Sequence, residues 1–154
     1  MEASLRSLCF SPGAWTPKSV ILLRDHSYDN ISGYAAVYRV HGPFLFGVSD
    51  KISVITDNLE KLPAIVIVRL RNMTAIDATG IAALEELADQ LHKGGRSMLV
   101  CGARPQPAAL MLEAGFDRHV GAENICENIT IALKRAETIY DEGAAAVSAP
   151  ANSL

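Results

Sequence analysis

No stretch of this sequence stays apolar long enough to cross a bilayer. The longest such run is about seven residues, where a membrane-spanning helix needs about 20. Cysteine is scarce: Cys9, Cys101 and Cys126 are widely spaced, odd in number, and lack a CxxC pair or a histidine at ligand spacing. That argues against a disulfide framework and against a zinc site, and free thiols fit a reducing, cytosolic compartment. Positive charge is not in excess, since 14 Lys and Arg stand against 17 Asp and Glu, a net charge of -3. With no basic cluster either, nucleic acid is not an expected partner. Glycine never gathers into a phosphate cradle, and Gly102-Ala103-Arg104-Pro105 is too poor in it for nucleotide binding. His41, His92 and His119 are scattered, with no acid–base pair among them. Asp77 and His92 fall at opposite ends of one expected helix, about 20 Å apart by rise, so Ser–His–Asp chemistry is unsupported. A secretion signal is not expected: Ser4 to Cys9 is too short, and Pro12, Gly13 and Pro17 follow at once.

What is present is a globular composition, 49% hydrophobic and 20% charged over 154 residues, enough for one domain with a real core and tails. Residues 1–33 read as a lead-in. Within it Val20-Ile21-Leu22-Leu23 is either a short strand or a docking segment, and the polar cluster Arg24 to Asn30 follows. Tyr34–Val40 and Pro43–Phe46 flank His41-Gly42, which predicts a β-hairpin. Ser49 or Asp50 opens a helix with Ile52, Ile55, Leu59 and Leu62 at helical spacing, and Pro63 stops it. Ala64–Leu70 is apolar on both faces, the mark of a central strand. Ile81, Leu84, Leu87, Ala88 and Leu91 form the stripe of the next helix, ended by Gly94-Gly95. Ser97–Cys101 is a strand, Pro105–Ala114 a helix with Pro in its first turn. Asn124 and Glu127 have capping-box spacing ahead of a last amphipathic helix through Tyr140. Residues 142–154, rich in Ala, Ser and Pro, are expected to be disordered. Strands alternating with helices imply an α/β domain over residues 34–141, with a mostly parallel sheet of four to five strands and about four covering helices.

The pattern turns on Met73-Thr74-Ala75-Ile76-Asp77-Ala78-Thr79-Gly80-Ile81, expected as a polar loop between the central strand and the following helix. There Asp77 caps the helix, a role worth roughly 1 kcal/mol, and could also face a partner. Gly80 in the first turn costs about 1 kcal/mol against alanine, which implies close approach by a neighbouring element or an exposed patch. Arg69 and Arg71 share one side of their strand's end. They are expected either to pair with Asp77 or the acidic helix surface of Glu85, Glu86 and Asp89, or to form a cationic rim for an acidic partner.

Tyr38-Arg39-Val40-His41-Gly42-Pro43-Phe44-Leu45-Phe46-Gly47, Arg69-Leu70-Arg71-Asn72-Met73, Ile76-Asp77-Ala78-Thr79-Gly80, Gly102-Ala103-Arg104-Pro105-Gln106-Pro107 and Ala114-Gly115-Phe116 occur in that order. Together they resemble the STAS domain, the fold shared by sulfate transporters and anti-sigma-factor antagonists. Within it the chain is most similar to the cytoplasmic domain that ends bacterial SulP-type anion transporters.

The resemblance implies a non-catalytic regulatory and protein-interaction module, without cofactor or metal, on the cytoplasmic side of the membrane. The implied partners are the membrane domain of the same transporter, a second copy of the chain, and a cytosolic regulatory protein. Residues 1–33 would then be a membrane-to-domain connection or sequence foreign to the domain. The implied docking surface is the helix entry, with Thr74, Asp77, Thr79 and Gly80, joined by Arg69 and Arg71. In antagonists the serine immediately after the aspartate is phosphorylated; here that position is Ala78, which has no hydroxyl. Thr79, one residue on, could accept a phosphate, but a local hydrogen bond is its expected role. A stand-alone antagonist and an anion- or nucleotide-sensing module are the alternatives.

Overall fold

The computed structural model describes residues 21–28, 33–45 and 49–148. Among the described residues five strands form one sheet: β1 (Ile21–Arg24), β2 (Ala35–Phe44), β3 (Ile65–Ile76), β4 (Ser97–Cys101) and β5 (Ile125–Cys126). They lie side by side in chain order. β1 pairs antiparallel with β2, and every later pair is parallel. Between them run α1 (Ser49–Thr56), α2 (Ala78–Lys93), α3 (Pro105–Glu113), the single turn α4 (Asp117–Val120) and the long α5 (Ile129–Ser148). The expected class, a mostly parallel sheet of four to five strands under about four helices, is what the chain adopts, with one antiparallel pair at its N-terminal edge.

The central strand explains the two-sided core. Alternate residues of β3 serve opposite faces. Val66, Val68 and Leu70 join Leu84, Leu87 and Leu91 of α2, Ile52 and Ile55 of α1 and Met111 of α3 in the larger cluster. Ile65 and Ile67 join Leu99, Cys101 and Cys126 beneath Ala132 and Ala136 of α5 in the smaller. α5 is therefore the one described α-helix on that face, with Tyr28 and Tyr34 packed beside it.

Several boundaries differ from expectation. The hairpin expected of Tyr34–Val40 and Pro43–Phe46 does not form, and His41-Gly42 is not a turn. β2 runs straight through these residues, with Gly42 at φ 86° and register shifts on either side. Both halves of β2 pair with the same neighbour, β3, so the glycine makes a bulge where a reversal was expected. The antiparallel edge is instead the Ile21–Arg24 segment, from Ile21 opposite His41 to Arg24 opposite Tyr38. Of the two readings of that apolar tetrapeptide, the strand is realised. Phe46 and Gly47, like residues 1–20, lie outside the described residues.

The strand placed at Ala64–Leu70 extends to Ile76, because Met73 and Ile76 are buried too. Of the stretch expected to be a loop, Met73–Ile76 belongs to β3, Ala78–Ile81 already belongs to the next helix, and Asp77 alone lies between them. α1 stops at Thr56, and Leu59 and Leu62 pack from a 3-10 turn and its end. The capping box at Asn124 and Glu127 does not form. Asn128 is the cap, its Oδ1 accepting the Ile131 N–H at 3.0 Å, while Asn124 donates to the Val120 carbonyl at 2.6 Å and accepts from Arg135 Nε at 2.9 Å. The tail expected to be disordered from residue 142 is helical to Ser148, in keeping with the high helix propensity of Ala144-Ala145-Ala146. Residues 149–154 lie outside the described residues.

Candidate functional site

The entry to α2 is built by three elements. β3 ends at Ile76, Asp77 turns the chain in extended conformation (φ -124°, ψ -177°), and α2 begins at Ala78. The Asp77 carboxylate accepts the Gly80 N–H at 2.8 Å, and its carbonyl accepts the Ile81 N–H at 2.9 Å. Both are first-turn groups that would otherwise lack a partner. The capping role expected for Asp77 is therefore met.

Gly80 is buried against β2. A Cβ there would overlap the Phe44 carbonyl oxygen and lie 2.9 Å from Ile76 Cγ1, so the helix can dock on the strand only where the side chain is absent. Of the two explanations for this glycine, close backbone approach holds.

Ala78 and Thr79 are exposed beside it. Among the described residues the Thr79 hydroxyl makes no hydrogen bond, contrary to the local bond expected of it. Instead Thr79 lines a shallow groove of about 330 Å³ between α1 and α2 with Ile52, Thr56, Ala83 and Glu86. Thr74 is exposed on the last part of β3.

Arg69 and Arg71 do not join this entry. They alternate with Val68 and Leu70, whose side chains face α2, and so lie on the α5 face. No ion pair links either to Asp77, Glu85, Glu86 or Asp89. Arg69 Nη1 lies 3.9 Å from Asp25 Oδ2, and Arg39 Nε lies 3.2 Å from the same oxygen. Asp25 is the residue that sequence reasoning missed, submerged in an apparently polar lead-in. It is only 4% exposed, and its Oδ1 accepts the Ser27 N–H at 3.1 Å. Burial pushes its carboxyl up, but the Ser27 hydrogen bonds and the two guanidinium groups outweigh that and hold it below the usual range. The signal was Arg39 and Arg69, each continuing an apolar strand where an unpaired cation would be costly.

A second charged cluster joins α4 to α2. His119 Nδ1 lies 3.0 Å from Asp89 Oδ1 and Nε2 lies 3.8 Å from Glu85 Oε1. The hydrogen bond to Asp89 raises the imidazole pKa; burial opposes it, and the charges of Asp89 and Glu85 add to it. Among the described residues no group of three or more His, Cys, Asp or Glu could hold a metal ion, and no helix is long and apolar enough to cross a membrane.

Residues 26–132 match the model of the STAS domain family. A sulfate transporter family protein from Wolinella succinogenes superposes with a TM-score of 0.64 at 32% identity, covering 70% of this chain and 88% of that one. The STAS domain of a SulP transporter from Vibrio cholerae gives 0.63 at 31% identity, covering 72% and 87%. The putative sulfate transporter YvdB of Bacillus subtilis is 20% identical over 94 residues, 60% of this chain but only 18% of that relative. The likeness to an anti-sigma-factor antagonist from Mycobacterium paratuberculosis is one of fold, with a TM-score of 0.65 at 15% identity over 79% of this chain and 97% of that one. With the expected α/β topology realised and the family's pattern matched across most of its length, the chain belongs to the STAS domain family.

Proposed function

We propose that this chain is the non-catalytic regulatory and protein-interaction domain of a SulP-family sulfate or related anion transporter, held on the cytoplasmic side of the membrane. The observation that carries the reading is the identity of 32% and 31% to transporter-family domains over about 70% of the chain, against 15% to an antagonist of similar fold. Ala78 supports it. Phosphate adds roughly two negative charges and so can turn docking off, but the position that would carry it lacks a hydroxyl. The groove beside Thr79 is then a constitutive contact surface, and Asp77 and Gly80 hold it rigid. The membrane domain of the same transporter is the first partner, with a second copy and a cytosolic regulator as others.

Sulfate uptake into vesicles bearing the membrane part tests this, with and without the domain attached. Removal is expected to change the uptake rate, and an unchanged rate overturns the reading. Incubation with an anti-sigma-type serine kinase and ATP separates the alternative. No incorporation is expected, and stoichiometric phosphate on Thr79 would favour the antagonist.

A further inference from the structure

On the face opposite the α2 entry lies a cleft of about 250 Å³, lined by Arg69, Arg71, Cys101, Gly102, Glu127, Asn128 and Ile129. Its position follows from the topology. β3 and β4 lead into α2 and α3, which pack on the larger core cluster. β5 leads into α5, which packs on the other face. The connections thus diverge between β4 and β5, beyond the carboxyl ends of parallel strands. In open α/β sheets such a divergence leaves a crevice between two outgoing loops, where ligands bind. Gly102 and Asn128 stand on those two loops.

The lining is cationic. Arg71 is exposed and its guanidinium has no partner among the described residues. Arg69 is held only loosely, 3.9 Å from an Asp25 oxygen that Arg39 approaches more closely. Gly102, at φ 74°, leaves space beside Arg71, where an added Cβ would lie 3.5 Å from the Arg71 Cβ. Burial first, and the Cys126 thiol beside it, push the Cys101 thiol up to about 12, so it stays neutral and adds no negative charge. Among the described residues of the lining Glu127 is the single carboxylate, set against two guanidinium groups. The first N–H groups of α5 also lack intrahelical carbonyls.

We propose that this cleft binds a small tetrahedral oxyanion of the sulfate or phosphate class. Arg71 is the principal ligand, through paired N–H donors, and Arg69 the second; such charge-assisted pairs suit tetrahedral oxyanions. Glu127 opposes the anion and limits its affinity. The site is separate from the docking surface proposed above, and its failure would leave that reading untouched.

The test is a titration of the isotopically labelled full chain with sodium sulfate and, separately, sodium phosphate, at ionic strength matched with chloride. Amide shifts at Gly102, Asn128 and Ile129 are expected to saturate with a midpoint of roughly 1 mM, in the range a few ionic hydrogen bonds supply. The anion giving the lower midpoint names the preferred source. Arg71→Gln is expected to weaken the midpoint about tenfold, and Glu127→Gln to strengthen it several-fold, since one removes attraction and the other repulsion. Glu127→Gln alone decides the matter if the arginine variant does not fold. Shifts that fail to saturate, match those in chloride, ignore both substitutions, or fall at Ala78 to Ile81 instead would overturn the proposal.

Discussion

The Asp77 carboxylate and the Gly80 amide, 2.8 Å apart, close the first turn of α2 at the point where Gly80 itself touches β2. One residue satisfies the helix end and the other permits it to dock. Replacing Asp77 by alanine should lower stability by about 1 kcal/mol, and Asp77→Asn, which keeps the acceptor, should recover most of it. Urea unfolding of the three proteins checks this, and equal midpoints would show that the cap contributes nothing.

Gly80→Ala tests the contact from the other side. On helix propensity alone the change should stabilise by about 1 kcal/mol. The added methyl meets the backbone carbonyl of Phe44, which cannot swing away as a side chain can, so a net loss of about 1–3 kcal/mol is expected. A variant more stable than the parent would mean that α2 is free to slide on β2.

Asp25→Asn should cost about 2 kcal/mol at neutral pH, since it removes the charge shared by Arg39 and Arg69 and weakens the bond from Ser27. Because the folded carboxyl titrates below its ordinary 3.8, its contribution is fully present above that value and disappears as pH falls through the lower, folded one. The gap between parent and variant should therefore hold from pH 7 to about 5 and close in stronger acid. Denaturant midpoints measured across that range decide it.

His119 has the opposite sign. Its pKa is raised in the folded protein by the bond to Asp89, with burial opposing and the two carboxylate charges reinforcing. The stabilisation is thus complete below the ordinary histidine value of 6.5 and is lost as pH rises through the folded value. His119→Gln should be less stable than the parent at pH 6 and nearly equal to it above pH 8. Thermal midpoints at the two pH values check this, and a gap that does not narrow would mean that the imidazole acts by packing.

The sequence carried the periodic parts of this fold well. The stripe from Ile81 to Leu91, the apolar run of the central strand and Pro105 at a helix start each encode one element by local rules, and each is where those rules put it. It carried poorly whatever depends on a distant neighbour. His41-Gly42 has the composition of a turn, and only pairing with β3 across both halves makes it a bulge. Asp25 looks solvated until Arg39 and Arg69, distant in the chain, close over it. Arg69 and Arg71 were placed on the right strand and the wrong side of the sheet's chemistry, because period-two alternation was not carried through Val68 and Leu70. Asp77 and Gly80, whose roles rest on the next three residues and on one close approach, were legible in advance.

The strand order remains. Among the described residues each of the five strands pairs only with the strands that immediately precede and follow it in the chain. During synthesis a newly exposed strand therefore finds its partner already laid down, and no earlier segment must wait with an open edge for a distant one. Growth from β1 toward β5 keeps the separation between pairing segments short, which favours fast closure. The face beneath α5 is the exception, since Ile65, Ile67 and Leu99 have no α-helix over them until α5 arrives. The growing domain should therefore be most prone to aggregate after β4 and before Ala132 and Ala136 are in place.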